Sequence, residues 1–225
     1  PLVAFADAHD PLFGLLRVTA HPSHLAPSDI LDGAQTVVVY FIPFSGEVVA
    51  SNTGTRYASD LWIRAYRETN SLVDEINNAV DSLLATGGFR SRGIRATHDF
   101  EVDTLTSPWS HRHAAVVAGL GTLGANRMLI TEVGCCGRIG SIVTEATISP
   151  GQRPSEEFCL FKRSGMCLAC LRRCPVGALG PDRFDRRACY DNLLVNDRLH
   201  DDMHPADACG KCLCGLPCSL SAPRP

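Results

Sequence analysis

The stretch that decides the organisation of this chain begins at Cys159 and runs through Cys167-Leu168-Ala169-Cys170-Leu171-Arg172-Arg173-Cys174-Pro175 and Cys189. It ends in Cys209-Gly210-Lys211-Cys212-Leu213-Cys214-Gly215-Leu216-Pro217-Cys218. The chain holds 11 cysteines, and all but Cys135 and Cys136 fall in this stretch. Thiols at this density and short spacing point to soft metal chemistry before any other use.

The segment Cys167-x-x-Cys170-x-x-x-Cys174-Pro175 carries three of the four ligands of the bacterial ferredoxin run, whose fourth cysteine serves the other cluster. A [4Fe–4S] cluster takes four thiolates, so two clusters take eight. The spacing assigns Cys159, Cys167, Cys170 and the distant Cys218 to one cluster. It assigns Cys174, Cys189, Cys209 and Cys212 to the second, with Cys174 crossing over from the first run. Cys214 is then spare. Zinc ribbons also use Cys-x-x-Cys pairs, but they account neither for the Cys-Pro after x-x-x nor for eight thiols. A disulfide framework belongs to short secreted chains.

The 225 residues suffice for one sizeable core with a small module, or for one large domain. A formal net charge of -3 argues against a general nucleic-acid-binding surface. All but Lys162 and Lys211 of the 21 Lys and Arg residues are arginine, a compositional bias with a weak hint of anion recognition. No apolar run approaches the ~20 residues of a membrane span. Pro1-Leu2-Val3-Ala4-Phe5 lacks the basic start and cleavage pattern of a signal peptide. With so many reduced thiols, the expected compartment is the cytoplasm.

Residues 1–35 read as loops and turns. They include His21 and His24, which read as exposed loop histidines, and a capped helical turn closed by Gly33. Thr36 to Ile42 is an unbroken β-branched and aromatic run, predicting a strand covered on both faces. Ser45 to Tyr57 reads as a polar, flexible loop. From Ser59 to Thr86, Trp62, Tyr66, Val73, Ile76, Val80, Leu83 and Leu84 recur near a 3.6-residue period, so a long helix capped by Ser59 is expected. Strands are expected at Gly93–Thr97, Met128–Thr131 and Gly140–Glu145. A short helix capped by Ser110 should end at Gly119, and Gly134-Cys135-Cys136-Gly137 reads as a tight turn with buried thiols. Helices alternating with strands indicate an α/β domain over residues 1–150, followed by a cysteine-rich domain over 151–225.

Gly119, Gly121 and Gly124 let the backbone approach a large flat group, since no Cβ intervenes. The spacing imitates a dinucleotide fingerprint, but here the helix precedes the glycines. Ala118-Gly119-Leu120-Gly121-x-x-Gly124, the strand about twenty residues on, the two-part cysteine run and Asp185-Arg186-Arg187-Ala188-Cys189-Tyr190 together resemble the epoxyqueuosine reductases, from roughly residue 30 to residue 218. That family is related to the reductive dehalogenases.

The resemblance implies a nitroreductase-like α/β domain that binds base-off cobalamin, followed by a bacterial ferredoxin-like module with two [4Fe–4S] clusters. It implies that Ala118, Gly119, Leu120, Gly121 and Gly124 face the corrinoid. The expected partners are a small organic substrate, or a modified nucleoside not read through tRNA, and an external low-potential donor of the flavodoxin or ferredoxin type. Cob(I)alamin demands a very low potential, which two clusters in series can supply one electron at a time. The chain departs from the family at the general acid: Pro108 matches the motif's proline, but Leu105 stands where the aspartate belongs. Asp103, His111 and His113 are the candidate replacements. The chain stops seven residues after Cys218, without a tRNA-gripping extension, so tRNA binding is expected to be unlikely. The alternatives are an electron-transfer protein without catalysis, and the same fold holding a flavin.

Overall fold

The computed structural model describes residues 1–96 and 99–223. It contains six strands and eight α-helices among the described residues, in the order β1 (Leu2–Asp7), α1 (Pro11–Thr19), α2 (Pro27–Ile30), β2 (Thr36–Pro43), α3 (Gly46–Ser51), α4 (Asp60–Thr86), β3 (Ser91–Ile94), α5 (His111–Val117), β4 (Gly121–Leu123), β5 (Leu129–Thr131), β6 (Gly137–Thr144), α6 (Leu160–Ser164), α7 (Ala169–Arg173) and α8 (Arg186–Leu199). Among the described residues no helix is long and apolar enough to cross a membrane.

The chain forms two compact units. The α/β unit comprises Pro1–Ile42, Asn70–Gly121 and Ile139–Ser155, and the cysteine unit comprises Pro43–Thr69, Thr122–Arg138 and Glu156–Pro225. A single cut near residue 150 therefore does not describe compactness. Residues 43–69 and 122–138 cluster with the cysteines, because their apolar side chains (Phe44, Trp62, Ile63, Tyr66, Ala125, Ile130) share one core with Cys159, Cys170, Leu213 and Leu216.

In the α/β unit a four-stranded sheet has the order β1-β2-β6-β3. β1 and β2 are antiparallel, with Leu2 opposite Phe41 and Asp7 opposite Thr36. β3 and β6 are antiparallel, with Ser91 opposite Thr144 and Ile94 opposite Ser141. β2 is buried from Thr36 to Phe41, as its unbroken β-branched run requires of a strand covered on both faces. Val38, Tyr40 and Ile142 meet Val73 of α4 in the core of this unit. The Tyr40 hydroxyl donates to Asn77 Oδ1 (2.9 Å), and Asn77 Nδ2 donates to Ile94 O (3.1 Å), so one amide on α4 ties helix to sheet.

Four local expectations change. The N-terminal residues are not all loop: β1 pairs with β2, and α1 starts with Pro11 in its first turn while Asp10 accepts from Leu12 N, a start signal that the Asp-Pro pair carries. The stretch from Ser45 to Tyr57 contains α3, whose N-terminus Ser45 caps by accepting from Val48 N at 3.3 Å. β3 begins two residues earlier than expected and ends at Ile94; Thr97, the last residue of the expected strand, lies outside the described residues. His24 is buried, not exposed: its Nε2 accepts from Ser110 N (3.2 Å) and its Nδ1 bonds Leu25 O (2.8 Å). The long helix is as expected, and Ser59 Oγ accepts from Trp62 N at 3.2 Å.

Candidate functional site

In the cysteine unit the thiols are placed by short helices and turns. Cys159 precedes α6, Cys170 lies in α7, and Cys174 follows α7 directly. Cys167 (φ 114°) and Leu168 (φ 57°) both hold positive φ, a conformation that costs a non-glycine residue on the order of 1–3 kcal/mol and gathers at functional sites. Asp185 caps α8 through Ala188 N (2.9 Å), which puts Cys189 in the helix's first turns. The Asp185-Arg186-Arg187-Ala188-Cys189 segment is thus a capping device that presents a cysteine.

Among the described residues, none of the 11 cysteines is joined in a disulfide. Burial and the neighbouring thiols Cys218, Cys159 and Cys167 push Cys170 up to about 11. Burial and then Cys209, Cys189 and Cys174 raise Cys212, with Cys170 the weakest contributor. The neighbours of Cys170 are the other three members of its expected quartet, while those of Cys212 include the other three of its own and also Cys170 of the first. A recess with about 350 Å³ of free space, part of it open to solvent, is lined by Cys159, Cys167, Cys170 and Cys218 together with Gly124 and Ile130. Among the described residues, no three His, Cys, Asp or Glu side chains converge as ligands of one metal ion would.

The three remaining cysteines lie beside these thiols. Cys135 N donates to Cys218 O at 2.9 Å and Cys136 N to Ser219 O at 3.2 Å, so Cys135 and Cys136 run alongside the end of the cysteine run and do not form the expected tight turn. Their thiols are buried as expected. Cys135 Sγ lies 4.0 Å from Cys218 Sγ. The Cys136 thiol donates to Cys214, which lowers Cys214's titration, and Asn52 Nδ2 approaches Cys214 Sγ at 3.6 Å. Sequence reasoning left this arrangement unread because 77 positions separate Cys136 from its other acceptor, Leu213 O.

The glycine loop divides between the units: Ala118, Gly119, Leu120 and Gly121 belong to the α/β unit and Gly124 to the cysteine unit. A Cβ on Gly119 (φ +87°) would meet Gln152 O at 2.5 Å, and one on Gly124 would meet Asn126 Oδ1 at 2.6 Å. The chain's own atoms already occupy the space that these two glycines leave.

The candidate acids are in the α/β unit. Asp103 is exposed in a turn closed by the Glu101–Thr106 bridge. Leu105 in that turn has φ 53°, so the position of the motif's missing aspartate is conformationally unusual. His111 Nδ1 bonds Ser141 Oγ (2.8 Å) and its Nε2 bonds Arg95 O (3.1 Å). Facing a carbonyl, Nε2 must be the donor. Ser110 Oγ caps α5 and bonds His113 Nδ1 at 2.8 Å. Burial lowers His113 from the usual 6.5 to about 4.

His113 is therefore neutral at pH 7, and its effect on stability has a definite sign. A folded-state value below the unfolded one means that the unfolded chain binds the extra proton between about pH 6.5 and 4. The stabilisation is complete above about 6.5 and is lost as pH falls toward 4. Urea midpoints at pH 7 and pH 5 are expected to differ less in His113→Gln than in the wild type; an equal difference would refute the assignment.

No protein-family model matches the chain. The fold matches those of epoxyqueuosine reductases and reductive dehalogenases. The Bacillus subtilis epoxyqueuosine reductase, with its catalytic loop swung out of the active site, aligns at a TM-score of 0.64 and 17% identity, covering 100% of this chain and 63% of that one. A catabolic reductive dehalogenase aligns at 0.64 and 20% identity, covering 98% and 30%. An epoxyqueuosine reductase with a tRNA-Tyr epoxyqueuosine-modified stem loop aligns at 0.55 and 21% identity, covering 94% and 59%.

Among curated proteins the similar ones are named epoxyqueuosine reductase. That of Francisella cf. novicida (strain Fx1) is 26% identical over 213 residues, covering 88% of this chain and 54% of that protein. The chain thus spans about half the length of that relative. The resemblance read from the glycine loop and the cysteine run is the one that these relatives carry.

Proposed function

We propose that this chain carries the cluster-bearing and corrinoid-binding parts of an iron–sulfur reductase of the epoxyqueuosine reductase type. The observation that supports this reading is the recess in the cysteine unit lined by Cys159, Cys167, Cys170 and Cys218, with Cys209, Cys189 and Cys174 as neighbours of Cys212. Cys159, Cys167, Cys170 and Cys218 would hold one [4Fe–4S] cluster and Cys174, Cys189, Cys209 and Cys212 the other. Eight cysteines with a Cys-Pro after x-x-x suit two [4Fe–4S] clusters better than zinc, whose four ligands close tetrahedrally on one point.

The residues divide the work between the units. The crossed sharing of the Cys167–Cys174 run between quartets fixes the two clusters at short range, which favours passage of single electrons. When bound, cobalamin would supply a low-potential metal centre that accepts those electrons and reduces the substrate. Ala118 to Gly121 would contribute backbone to its binding surface in the α/β unit, and residues 151–225 would supply all eight thiolate ligands of the clusters. The candidates to move a proton are Asp103, exposed in its turn, His111, bonded to Ser141 and Arg95, and His113, bonded to Ser110. Electrons would arrive from an external low-potential protein of the flavodoxin or ferredoxin type. The stem loop in the similar structure speaks for a nucleoside carried on tRNA as substrate. It weighs against the expectation, drawn from the short stretch after Cys218 and from net charge, that tRNA binding is unlikely.

Titration of the anaerobically reconstituted protein with hydroxocobalamin, followed by visible absorption, tests the reading. A stoichiometric spectral change is expected. Its absence would remove the corrinoid and leave an electron-transfer protein, the reading that Leu105 at the acid's position favours.

A further inference from the structure

Between Glu157 and Asp182 the chain carries Lys162, Arg163, Arg172 and Arg173 and no Asp or Glu, although acidic residues outnumber Lys and Arg 24 to 21 over its whole length. Two of these cations meet the recess of the first quartet. Arg172 Nη1 donates to Cys167 O at 3.1 Å, and both Nη atoms of Arg163 donate to Pro223 O at 3.4 Å. Cys167 and Pro223 both line the recess, so the two guanidiniums are fastened to its wall.

Their charge is not offset there. A guanidinium is not deprotonated in proteins, and a carbonyl oxygen carries no formal charge against it. Among the described residues these two guanidiniums bond carbonyl oxygens and no carboxylate. The acidic residue at the edge of the stretch, Glu157, faces Lys162 instead, at 3.9 Å.

The quartet also reaches solvent at this place. Among the described residues Cys167 alone of the cysteines is exposed, and Met166 beside it is 72% exposed. A thioether adapts its shape to whatever it meets, which suits a surface that binds and releases. Uncompensated cations around a small apolar contact are the make-up of a transient docking patch, in which charge steers the encounter.

We propose that the surface formed by Arg163, Met166, Cys167 and Arg172 is where the electron donor docks, and that the donor is a small redox protein with an acidic rim around its own cofactor. This rests on the two-cluster reading. One electron leaves the reduced donor and enters the cluster held by Cys167, and no bond is made or broken. The first cluster is thus the point of entry.

Biolayer interferometry of the anaerobically reconstituted full chain against an immobilised acidic flavodoxin, and then an acidic ferredoxin, measures docking without turnover. Arg163→Gln/Arg172→Gln keeps a donor for each carbonyl but removes both charges. Its association rate at low salt is expected to fall about tenfold, the gap closing as salt is added, with iron content unchanged. Arg163→Lys/Arg172→Lys should recover most of the rate, and Arg92→Gln, exposed on β3, should keep the wild-type rate. A wild-type rate in the double glutamine variant, or no binding of either protein by the wild-type chain, would overturn the proposal. Loss of iron in the glutamine variant would also overturn it, by making the two arginines structural counter-charges of the cluster. Weakened binding of a tRNA anticodon stem loop, with association of both donors intact, would assign the surface to RNA and overturn it too. A wild-type chain that takes up no [4Fe–4S] cluster would remove the underlying reading, and iron and sulfide determination reads that outcome separately from the association rates.

Discussion

Cys170→Ser and Cys212→Ser each leave about half the iron of the reconstituted wild-type chain, about four atoms in place of about eight, because each removes a ligand from one quartet only. Serine keeps the shape but offers a hard, weakly acidic oxygen to a metal site built for soft thiolates. The pair is informative because the crossed assignment makes the two losses independent. The double variant should hold almost no cluster iron, whereas a single eight-thiol site would already fail in either single variant. Colorimetric iron and sulfide determination on protein purified and reconstituted anaerobically checks the result. Cys214→Ser should retain the full complement, since Cys214 bonds Asn52 and Cys136 and belongs to neither quartet.

Gly210→Val is the second large effect. Its backbone sits at φ +67°, and an added Cβ would lie 2.1 Å from the Trp62 ring. The conformational strain costs a non-glycine residue on the order of 1–3 kcal/mol. Overpacking against a ring held edge-on by Phe44 at 5.0 Å adds roughly a further 1–3 kcal/mol. The loop that bears Cys209, Lys211 and Cys212 should lose its place. The variant is therefore expected to unfold at clearly lower urea concentration and to bind only the first cluster's iron. A wild-type urea midpoint with full iron uptake would contradict the described packing.

Elements whose signal is local were legible in the residues. β2 announces itself as an unbroken run from Thr36 to Ile42, and α4 as a 3.6-residue stripe that includes Trp62, Tyr66 and Val73. Asp10-Pro11 was misread because an aspartate followed by proline serves turns and helix starts equally well, and only the pairing of β1 with β2 decides between them. The division into units was hidden for another reason. Residues 43–69 and 122–138 join the cysteines through apolar contacts, not through any motif of their own. The hold of Asn52 on Lys211 spans 159 positions, beyond the reach of any spacing rule. The acid was the least legible feature: Leu105 occupies its place, and the three substitutes differ in exposure and partners, not in residue pattern.

The proposed function requires that these eight cysteines hold two cubane clusters. Mössbauer spectroscopy of the chain reconstituted anaerobically with 57Fe tests it most directly. The account predicts [4Fe–4S] signals integrating to about eight irons per chain, with matching sulfide. Iron found only as mononuclear sites, or displaced by about two tetrahedral zinc ions per chain, would contradict it.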